Sequence, residues 1–458
     1  MASPQNVPPG PVYPMWVIRL MQAMPFKTRP DSMQVAMDTF KRFGDFACMR
    51  VGHKLVFQIS NPEIAHQVLV TQADQFHKDD LINRSLRPIT GNGLLLSEDD
   101  FWRKQRKLAQ PAFHHKRIEA YATAMVEETE RVLATWQTDQ PFNVMAEMTK
   151  LALNIVARTM FSADVSDVAA RVSQLASVLL EAANNRVALF TTLYDLLPTP
   201  NKRQEKQALQ EIDALLSQII RKHRARGTDN GDLLSMLLAA KDEDGNSMSD
   251  QQLRDEVITI FLAGHETTAV TLAWAWALLA QNPDVEAKLW AELDSVLGGR
   301  PPTLADLANL PYTEMIIKEA MRLYPPAGGL TRTPLTDIQV GEYVMPKGSN
   351  VFVSTHVMHR DPRYFPEPEK FIPERFSKER EADIPRYAYI PFGAGPRICI
   401  GNAFAMLEAR LLLATIAQRF KLSLVEGHPI VPELLFTIRP KYGVQVVAKV
   451  RQPALAPA

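Results

Sequence analysis

The sequence predicts a mainly α-helical fold with a smaller β-rich lobe. Helical periodicity runs almost without a break from Arg117 to Arg226. An apolar segment from about Gln251 to Gln281 predicts one further helix, about 45 Å long at about 1.5 Å per residue. Short strand patterns flank this helical block at Ala47–Val51 and Leu55–Ser60, at residues 338 to 356, and from Leu422 onward.

The composition allows a large buried core and argues against two classes of protein. The 458 residues are 46% hydrophobic, and Lys plus Arg and Asp plus Glu number 51 each. The zero net charge gives no indication of nucleic-acid binding. The two cysteines, Cys48 and Cys399, cannot make a disulfide framework and fit a reducing compartment, so we expect a cytoplasmic protein.

The chain is expected to divide into a proline-rich lead-in at residues 1–34, one domain at residues 35–450 and a tail at residues 451–458. The apolar patch near the start contains Arg19 and is too short to span a bilayer. We therefore expect no transmembrane anchor.

The first elements after the lead-in are two strands and a helix from Pro62 to about Gln72. Residues His77–Ser97 contain a proline and two glycines and are expected to form a long loop. A helix follows from about Phe101, and Trp102 and Arg106 share one of its faces because they are four residues apart. Taken alone, this helix fits a solvated basic surface with an anchoring tryptophan.

The helical block has breaks at Pro141 and at Pro198–Pro200, and a short helix is expected from Asp232 to Ala240. An acidic loop then leads to Ser249, a suitable N-cap for the long apolar helix. A transmembrane helix is the alternative reading of that segment. An acidic group such as Glu266 costs about 2.5–3.5 kcal/mol at a bilayer centre, so a buried helix is expected.

The middle of the long helix reads AGHETT, Ala263 to Thr268. Gly264 costs about 0.8–1.0 kcal/mol relative to alanine, and Thr267 and Thr268 can bond back to carbonyls one turn earlier and open the helix locally. Small residues beside a carboxylate and a hydroxyl leave room for O₂ and provide a route for protons. A helix kink with a solvated Glu266 is the alternative. His265 is expected to be a packing or surface residue and not a ligand.

A later helix opens at Leu310–Pro311 and carries EAMR, in which Glu319 and Arg322 are three residues apart and can pair. Such a pair is worth under about 1 kcal/mol at a surface. A PERF segment with Arg375 follows.

The segment FGAGPRICIG, Phe392 to Gly401, places Cys399 just before a helix predicted from Asn402 to about Phe420. A helix N-terminus favours a thiolate through its free N–H groups and its dipole. A buried thiolate with room beside it is a good axial ligand for haem iron, because it pushes electron density onto iron and favours O–O cleavage. An ordinary buried cysteine is the alternative.

Four separated motifs resemble those of the cytochrome P450 superfamily in type and order: WxxxR, AGHETT, ExxR with PERF, and the cysteine loop. The resemblance covers roughly residues 35 to 450 and implies the cytochrome P450 fold. It implies Cys399 as the haem-iron ligand, Glu266 and Thr267 as the proton-delivering pair, and a buried structural triad of Glu319, Arg322 and Arg375. It also implies haem contacts from Trp102, Arg106, Arg332, Arg397, Phe392, Ala263 and Gly264.

The resemblance implies a monooxygenase that inserts one oxygen atom of O₂ into an apolar substrate, with haem b as cofactor and electrons ultimately from NAD(P)H. We expect a soluble, monomeric, bacterial protein served by a separate ferredoxin or flavodoxin and its reductase. Arg103, Lys104 and Lys107 are hypothesised to dock an acidic donor. Two alternatives remain: a peroxide-dependent peroxygenase, which typically lacks the acid–alcohol pair, and a non-enzymatic haem-thiolate sensor.

The substrate pocket implied by the resemblance is mainly aliphatic, which predicts an apolar substrate. AGHETT together with IRPKYG resembles the branch that contains fatty-acid hydroxylases, but fatty acids, terpenoids and steroids all remain open. Lys78, Arg84 and Arg87 are the cations of the His77–Ser97 segment that could receive a carboxylate; a surface loop without function is the alternative for that segment. The implied pocket segments are His77–Ser97, about Leu179–Tyr194, Ile258–Thr268, Pro325–Thr331 and Leu434–Thr437.

Overall fold

The longest helix runs through the core of the structure. The computed structural model describes residues 6–14, 16–17, 31–162, 169–188, 200–226, 231–241 and 245–451, and this helix spans Asp250–Gln281. Ser249 caps it by accepting a hydrogen bond from the Gln252 N–H at 3.1 Å. It is the one helix of the described residues that is long and apolar enough to cross a membrane, and most of it is buried inside the fold.

The helices of the described residues are numbered in chain order. They are α1 (Ser32–Phe43), α2 (Pro62–His66), α3 (Asp80–Thr90), α4 (Asp99–Ala109), α5 (His115–Ala120), α6 (Ala122–Leu133), α7 (Val144–Phe161), α8 (Ala169–Ala188), α9 (Pro200–Arg226), α10 (Leu233–Ala239), α11 (Asp250–Gln281), α12 (Pro283–Leu297), α13 (Pro311–Leu323), α14 (Thr355–Met358), α15 (Lys378–Glu381) and α16 (Asn402–Arg419).

The strands form one larger sheet and three small ones. They are β1 (Val12–Tyr13), β2 (Phe46–Val51), β3 (Lys54–Ile59), β4 (Phe76–His77), β5 (Pro141–Asn143), β6 (Leu330–Pro334), β7 (Ile338–Val340), β8 (Tyr343–Met345), β9 (Asn350–Val353), β10 (Phe420–Leu424), β11 (Pro432–Leu434), β12 (Ile438–Pro440) and β13 (Gln445–Val450). The larger sheet has the order β1-β2-β3-β9-β6-β4, and the others are β10-β13-β5, β11-β12 and β7-β8.

Two hydrophobic cores correspond to the helical part and the larger sheet. Helix α11 packs against α7, α13 and α16, and its residues Trp274 and Trp276 are almost fully buried. Apolar residues on every side of α11 explain why it lies inside the helical core instead of on its surface. Phe57, Ile59 and Val351 belong to the separate core beneath the larger sheet.

Most predicted elements are present, and their ends lie close to the expected residues. The strands expected at residues 47–51 and 55–60, the short helix before Ala240, and the helices opening at Pro311 and Asn402 are all confirmed. The break predicted at Pro198, residues 189–194 of the implied pocket and most of the lead-in and tail lie outside the described residues.

The long loop predicted for His77–Ser97 is wrong, because helix α3 occupies its middle. Asp79 caps α3 by accepting a hydrogen bond from the Leu81 N–H at 2.7 Å. Pro88 lies inside the last turn, where its missing N–H removes one backbone hydrogen bond near the end of the helix, and Gly91 ends the helix with φ +59°. The proline and the glycine therefore mark the end of a helix and not the absence of one.

Candidate active site

The Cys399 loop is held by backbone geometry that requires glycine. The Cys399 N–H donates to the Phe392 carbonyl at 3.0 Å, which closes the loop. Gly395 has φ +69°, and a Cβ there would lie 1.9 Å from the Leu69 carbonyl oxygen. A side chain at residue 395 would therefore push the loop away from the turn Gln67–Thr71.

Two neighbouring groups offset part of the cost of a thiolate at Cys399, but they do not outweigh the effect of burial. The pKa of the thiol is raised above its usual value because burial outweighs the Gly401 N–H and the Arg106 guanidinium, which both lower it. In the folded protein without a metal, the neutral thiol is therefore favoured. The residue is nevertheless exposed by surface area. The sulfur thus faces an internal space enclosed by protein. A metal ion at that sulfur would favour the deprotonated form, as metals do with thiols generally.

Arg106 and Trp102 lie on the face of α4 that is turned towards this region. The Arg106 Nη1 donates to the Ile398 carbonyl at 3.0 Å, beside the cysteine. The guanidinium of Arg397 stacks over the Trp102 ring, 3.9 Å from its centroid. No acceptor for the Trp102 indole N–H is found in the described part of the chain, so this donor remains available to a ligand.

Three cations, Lys78, Arg332 and Arg397, lie around Glu98 close to the cysteine loop, and Asp99 also acts on Arg397. Arg397 pairs with Glu98, and the Lys78 ammonium donates to the Leu95 carbonyl. Burial, followed by repulsion from Arg332 and Arg397, lowers the pKa of Lys78 to about 7. Burial and then the charge of Arg397 lower the pKa of Arg332 to about 10. The cluster therefore has a surplus of positive charge that an added anion would relieve.

These donors fit an iron porphyrin. A thiolate is a suitable axial ligand for haem iron, and guanidinium, ammonium and indole N–H groups suit the two propionates of haem b. Cys399 would hold the iron, and the cation cluster with Trp102 would hold the propionates. The fit rests on the surplus cations and on the enclosed sulfur. The individual haem contacts predicted for Cys399, Trp102, Arg106, Arg332, Arg397, Phe392, Ala263 and Gly264 all stay predictions.

The AGHETT turn lies on the side of helix α11 that is least buried. Ala263 is exposed, and Gly264, Glu266 and Thr267 are partly buried, within a helix that is otherwise mostly buried. The Thr267 Oγ1 donates to the Ala263 carbonyl at 2.9 Å. The local opening predicted for this turn is wrong, because α11 is continuous. A carbonyl oxygen has two lone pairs, so it accepts the hydroxyl without losing its backbone bond.

The two residues before Thr267 have different surroundings. The Glu266 carboxylate accepts a hydrogen bond from the Thr437 Oγ1 at 2.8 Å. His265 is buried, and its Nδ1 bonds to the Phe261 carbonyl at 2.8 Å. Burial lowers the pKa of His265. His265 therefore packs as a neutral ring. The Glu266 carboxylate, in contrast, is hydrogen-bonded to Thr437 at the edge of the candidate pocket.

Glu319, Arg322 and Arg375 meet in a buried cluster. Arg322 Nε and Nη2 donate to the Glu319 carboxylate at 2.7 and 2.8 Å, and Arg375 Nε reaches it at 3.3 Å. The pair Glu319–Arg322 is fully buried. The cluster joins α13 to the turn Pro373–Phe376, which precedes the cysteine loop. Arg322 also donates to the carbonyls of His359, Pro368 and Lys370.

The sequence model of the cytochrome P450 family matches residues 8–446. The chain belongs to the cytochrome P450 family. Cyclooctatin synthase of Streptomyces melanosporofaciens is 41% identical to this P450 over 85% of each chain. Cyclooctat-9-en-7-ol 5-monooxygenase of the same organism is 35% identical over 84% of each chain. Pentalenene oxygenase of Streptomyces avermitilis is 34% identical over 88% of this chain and 89% of the relative.

Membership of the family confirms several expectations at once. The mainly helical architecture with a smaller sheet region is the P450 fold. The protein is a haem-thiolate oxidoreductase of the monooxygenase class. The P450 family generally uses redox partners and acts on apolar substrates.

For three polar residues of this P450, the sequence does not predict the contacts that the structure shows. Lys78 joins the cation cluster, Thr437 binds Glu266, and Glu408 lies fully buried on α16 next to Thr268. None of them belongs to a recognisable motif of its own. The one signal available in the sequence is a carboxylate, Glu408, in the otherwise apolar helix after the predicted haem-binding cysteine.

Proposed function

We propose that this P450 inserts one oxygen atom of O₂ into a cyclic terpenoid, in the cytoplasm, with electrons from a separate ferredoxin or flavodoxin and its reductase. The relatives support the substrate class. Cyclooctat-9-en-7-ol 5-monooxygenase and pentalenene oxygenase are named for reactions on unsaturated substrates, and they belong with terpenoid-oxidising bacterial P450s.

The positions of the cations in the His77–Ser97 segment support a substrate without a carboxylate. Arg84 and Arg87 are exposed on one face of α3, while Leu86 and Ile89 are buried on the other. Lys78 is engaged in the cation cluster. No cation of this segment is therefore left on the buried side to anchor a fatty-acid head group. This is the observation that carries the proposal.

An apolar wall near the AGHETT turn supports the same conclusion. A Cβ on Gly328 would lie 2.9 Å from the Ile438 side chain and 3.2 Å from that of Leu434. The hairpin β11–β12 thus packs closely on the segment after α13. Its partly buried residues Leu434 and Phe436 add further apolar surface, which suits a hydrocarbon ring system.

The chain's own contribution to the reaction is positioning and proton delivery. Bound haem supplies the oxygen-activating chemistry. Cys399 holds the group through its thiolate, and Arg106 and Gly401 stabilise the negative charge on that sulfur. Thr267 and Glu266 would hold a water molecule and pass protons from the hairpin side of α11.

A visible-spectrum titration of the ferric protein tests the substrate class. The panel contains cyclic terpene hydrocarbons and alcohols, linear fatty acids and steroids. We expect cyclic terpenoids to shift the haem from low spin to high spin and to be oxygenated when a surrogate ferredoxin system supplies electrons. Arg84→Ala and Arg87→Ala serve as controls and should leave the dissociation constants unchanged.

A spin shift confined to fatty acids would contradict the proposal. It would do so most clearly if Arg84→Ala or Arg87→Ala weakened fatty-acid binding, because one of these cations would then be the carboxylate anchor. Haem-loaded protein that shifts with no terpenoid and forms no product from any would also overturn the terpenoid assignment.

A further inference from the structure

Thr437 contacts the acidic member of the acid–alcohol pair from a different part of the chain. It lies between β11 and β12 and is 6% exposed. Its Oγ1 is 2.8 Å from the Glu266 Oε1, across 171 residues of sequence. The Thr437 hydroxyl is the donor of this bond, and the Glu266 carboxylate oxygen accepts it.

The hairpin that carries Thr437 is fixed to α11 by a hydrogen bond between the hairpin backbone and a side chain of α11. The Leu435 N–H donates to the Thr437 carbonyl at 3.0 Å and closes the turn. The next residue, Ile438, is held twice: its N–H donates to the Pro326 carbonyl at 3.0 Å, and its carbonyl accepts from the Trp274 indole N–H at 2.8 Å. Trp274 lies on α11 two turns after Glu266. The hydroxyl of Thr437 is therefore presented to α11 at a defined position.

The same hairpin turn carries candidate substrate contacts. Leu434 and Phe436 lie on it and are only partly buried. Glu266 is adjacent in sequence to Thr267, the alcohol of the pair. One short turn therefore lies between the proposed substrate region and the proton route.

We propose that Thr437 is a positioning residue for proton delivery, and this inference rests on the proposed function. Its hydroxyl holds the Glu266 carboxylate on the hairpin side of α11, in an orientation from which protons reach Thr267. Without that bond the carboxylate samples other orientations, and reduced oxygen is released as peroxide instead of being transferred to the substrate. A hydrogen bond to an ionised group is strong enough for about a tenfold effect.

The experiment uses haem-loaded Thr437→Val, which keeps the shape of the side chain and removes the hydroxyl. Thr437→Ser restores the hydroxyl. Thr415→Val removes another buried threonine hydroxyl, one that donates to the Leu411 carbonyl within α16, and serves as the matched control. Product per NADPH, peroxide release and the terpenoid dissociation constant are measured for each protein, with Glu266→Ala and the double variant Glu266→Ala/Thr437→Val.

We expect Thr437→Val to lower product per NADPH about tenfold and to raise peroxide release, with an unchanged dissociation constant. Thr437→Ser and Thr415→Val should match the wild type. The double variant should equal Glu266→Ala, because Thr437 acts through that carboxylate. The inference would be overturned if Thr437→Val formed as much product per NADPH as the wild type. It would also be overturned if the loss in the double variant equalled the sum of the two single losses on a free-energy scale.

An infrared measurement separates this inference from the substrate assignment. The spectrum of the ferric wild type minus that of Thr437→Val should contain a carboxylate band, and the same subtraction in the Glu266→Ala background should not. If no terpenoid is turned over but this band is present, the substrate proposal fails and the Thr437–Glu266 bond stands. If the band is missing, the positioning role is refuted whatever the substrate.

Discussion

Glu408 is a carboxyl group buried in the helical core next to the Thr268 hydroxyl. It is 0% exposed on α16, and no described residue lies in hydrogen-bonding geometry to either carboxyl oxygen. Burial raises its pKa to about 8, and the Thr268 hydroxyl offsets part of the rise. A neutral group is therefore expected in the folded protein at neutral pH, since ionising it would place an uncompensated charge in the core.

This pKa predicts a pH-dependent stability. In the unfolded protein the Glu408 carboxyl ionises at about pH 4.3, whereas in the folded protein it keeps its proton up to about pH 8. The folded state binds the extra proton between these values, so the free energy of unfolding falls by up to about 1.4 kcal/mol per pH unit in that window. Glu408→Gln removes this dependence. In denaturant titrations, the free energy of unfolding of Glu408→Gln minus that of the wild type should grow from about pH 5 to about pH 8. A difference that stays constant with pH would contradict the raised pKa of Glu408.

Lys78 provides a second prediction for a single residue. If the cation cluster receives haem propionates, Lys78→Met should weaken haem binding about tenfold, because a charge-assisted hydrogen bond is lost. The same variant should bind haem dimethyl ester, which has no carboxylates, about as well as the wild type does. Arg103→Ala removes an exposed cation of α4 and is the control. Equal losses for both porphyrins would show that Lys78 acts on the fold and not on the propionates.

The residues missed in the sequence show the limit of local patterns. Thr437 and Glu266 are 171 residues apart, and Arg397 and Glu98 are 299 apart. Periodicity and spacing predict which residues share a helix face, but they do not predict which residues from distant parts of the sequence come into contact in the fold. The cysteine loop could be predicted because its chemistry is contained within ten consecutive residues.

At the scale of elements, helices with local stop signals were predicted most closely. Helix α11 begins at Asp250 and ends at Gln281, next to Ser249 and to Asn282–Pro283. Helix α3 was missed because Pro88 falls inside its last turn, where proline does not prevent the helix from forming. The alternation of buried Leu86 and Ile89 with exposed cations was the signal that the proline obscured.

The contact between α13 and the Pro373–Phe376 turn depends on one buried carboxylate. Glu319→Ala should destabilise the protein by about 3–5 kcal/mol, because Arg322 and Arg375 would keep buried charges without their partner. We expect little or no haem-loaded protein on purification. Arg171→Ala breaks the exposed pair with Glu211 and should leave haem content and thermal midpoint unchanged. Normal haem incorporation in Glu319→Ala would refute a structural role for the triad.

At the scale of the whole molecule, the net charge is zero but one surface is basic. Arg103, Lys104 and Lys107 are exposed on α4, and Lys107 also lines a surface pocket together with Lys116 and Arg117. Arg106 on the same helix reaches the carbonyl next to Cys399. A donor bound to this surface would thus be close to the thiolate ligand, so we hypothesise that it is acidic.

Reversing these three charges tests the donor surface. Replacing Arg103, Lys104 and Lys107 with glutamate should lower donor-supported turnover about tenfold at low salt, because electrostatic steering is lost. High salt should reduce the difference in donor-supported turnover between the variant and the wild type, because it screens the charges of the wild-type surface. Peroxide-supported turnover should be unchanged, since it needs no donor. An equal loss of both activities would show that the variant damages the site instead of the docking surface.

The central claim is that this P450 transfers one atom of O₂ to a cyclic terpenoid through a thiolate-bound haem. The most direct measurement is turnover under isotopically heavy O₂ with a surrogate ferredoxin system, followed by mass spectrometry of the product. We predict one heavy oxygen atom in each product molecule, and no product with Cys399→Ser. Product oxygen derived from water, or labelled product from Cys399→Ser, would contradict the claim.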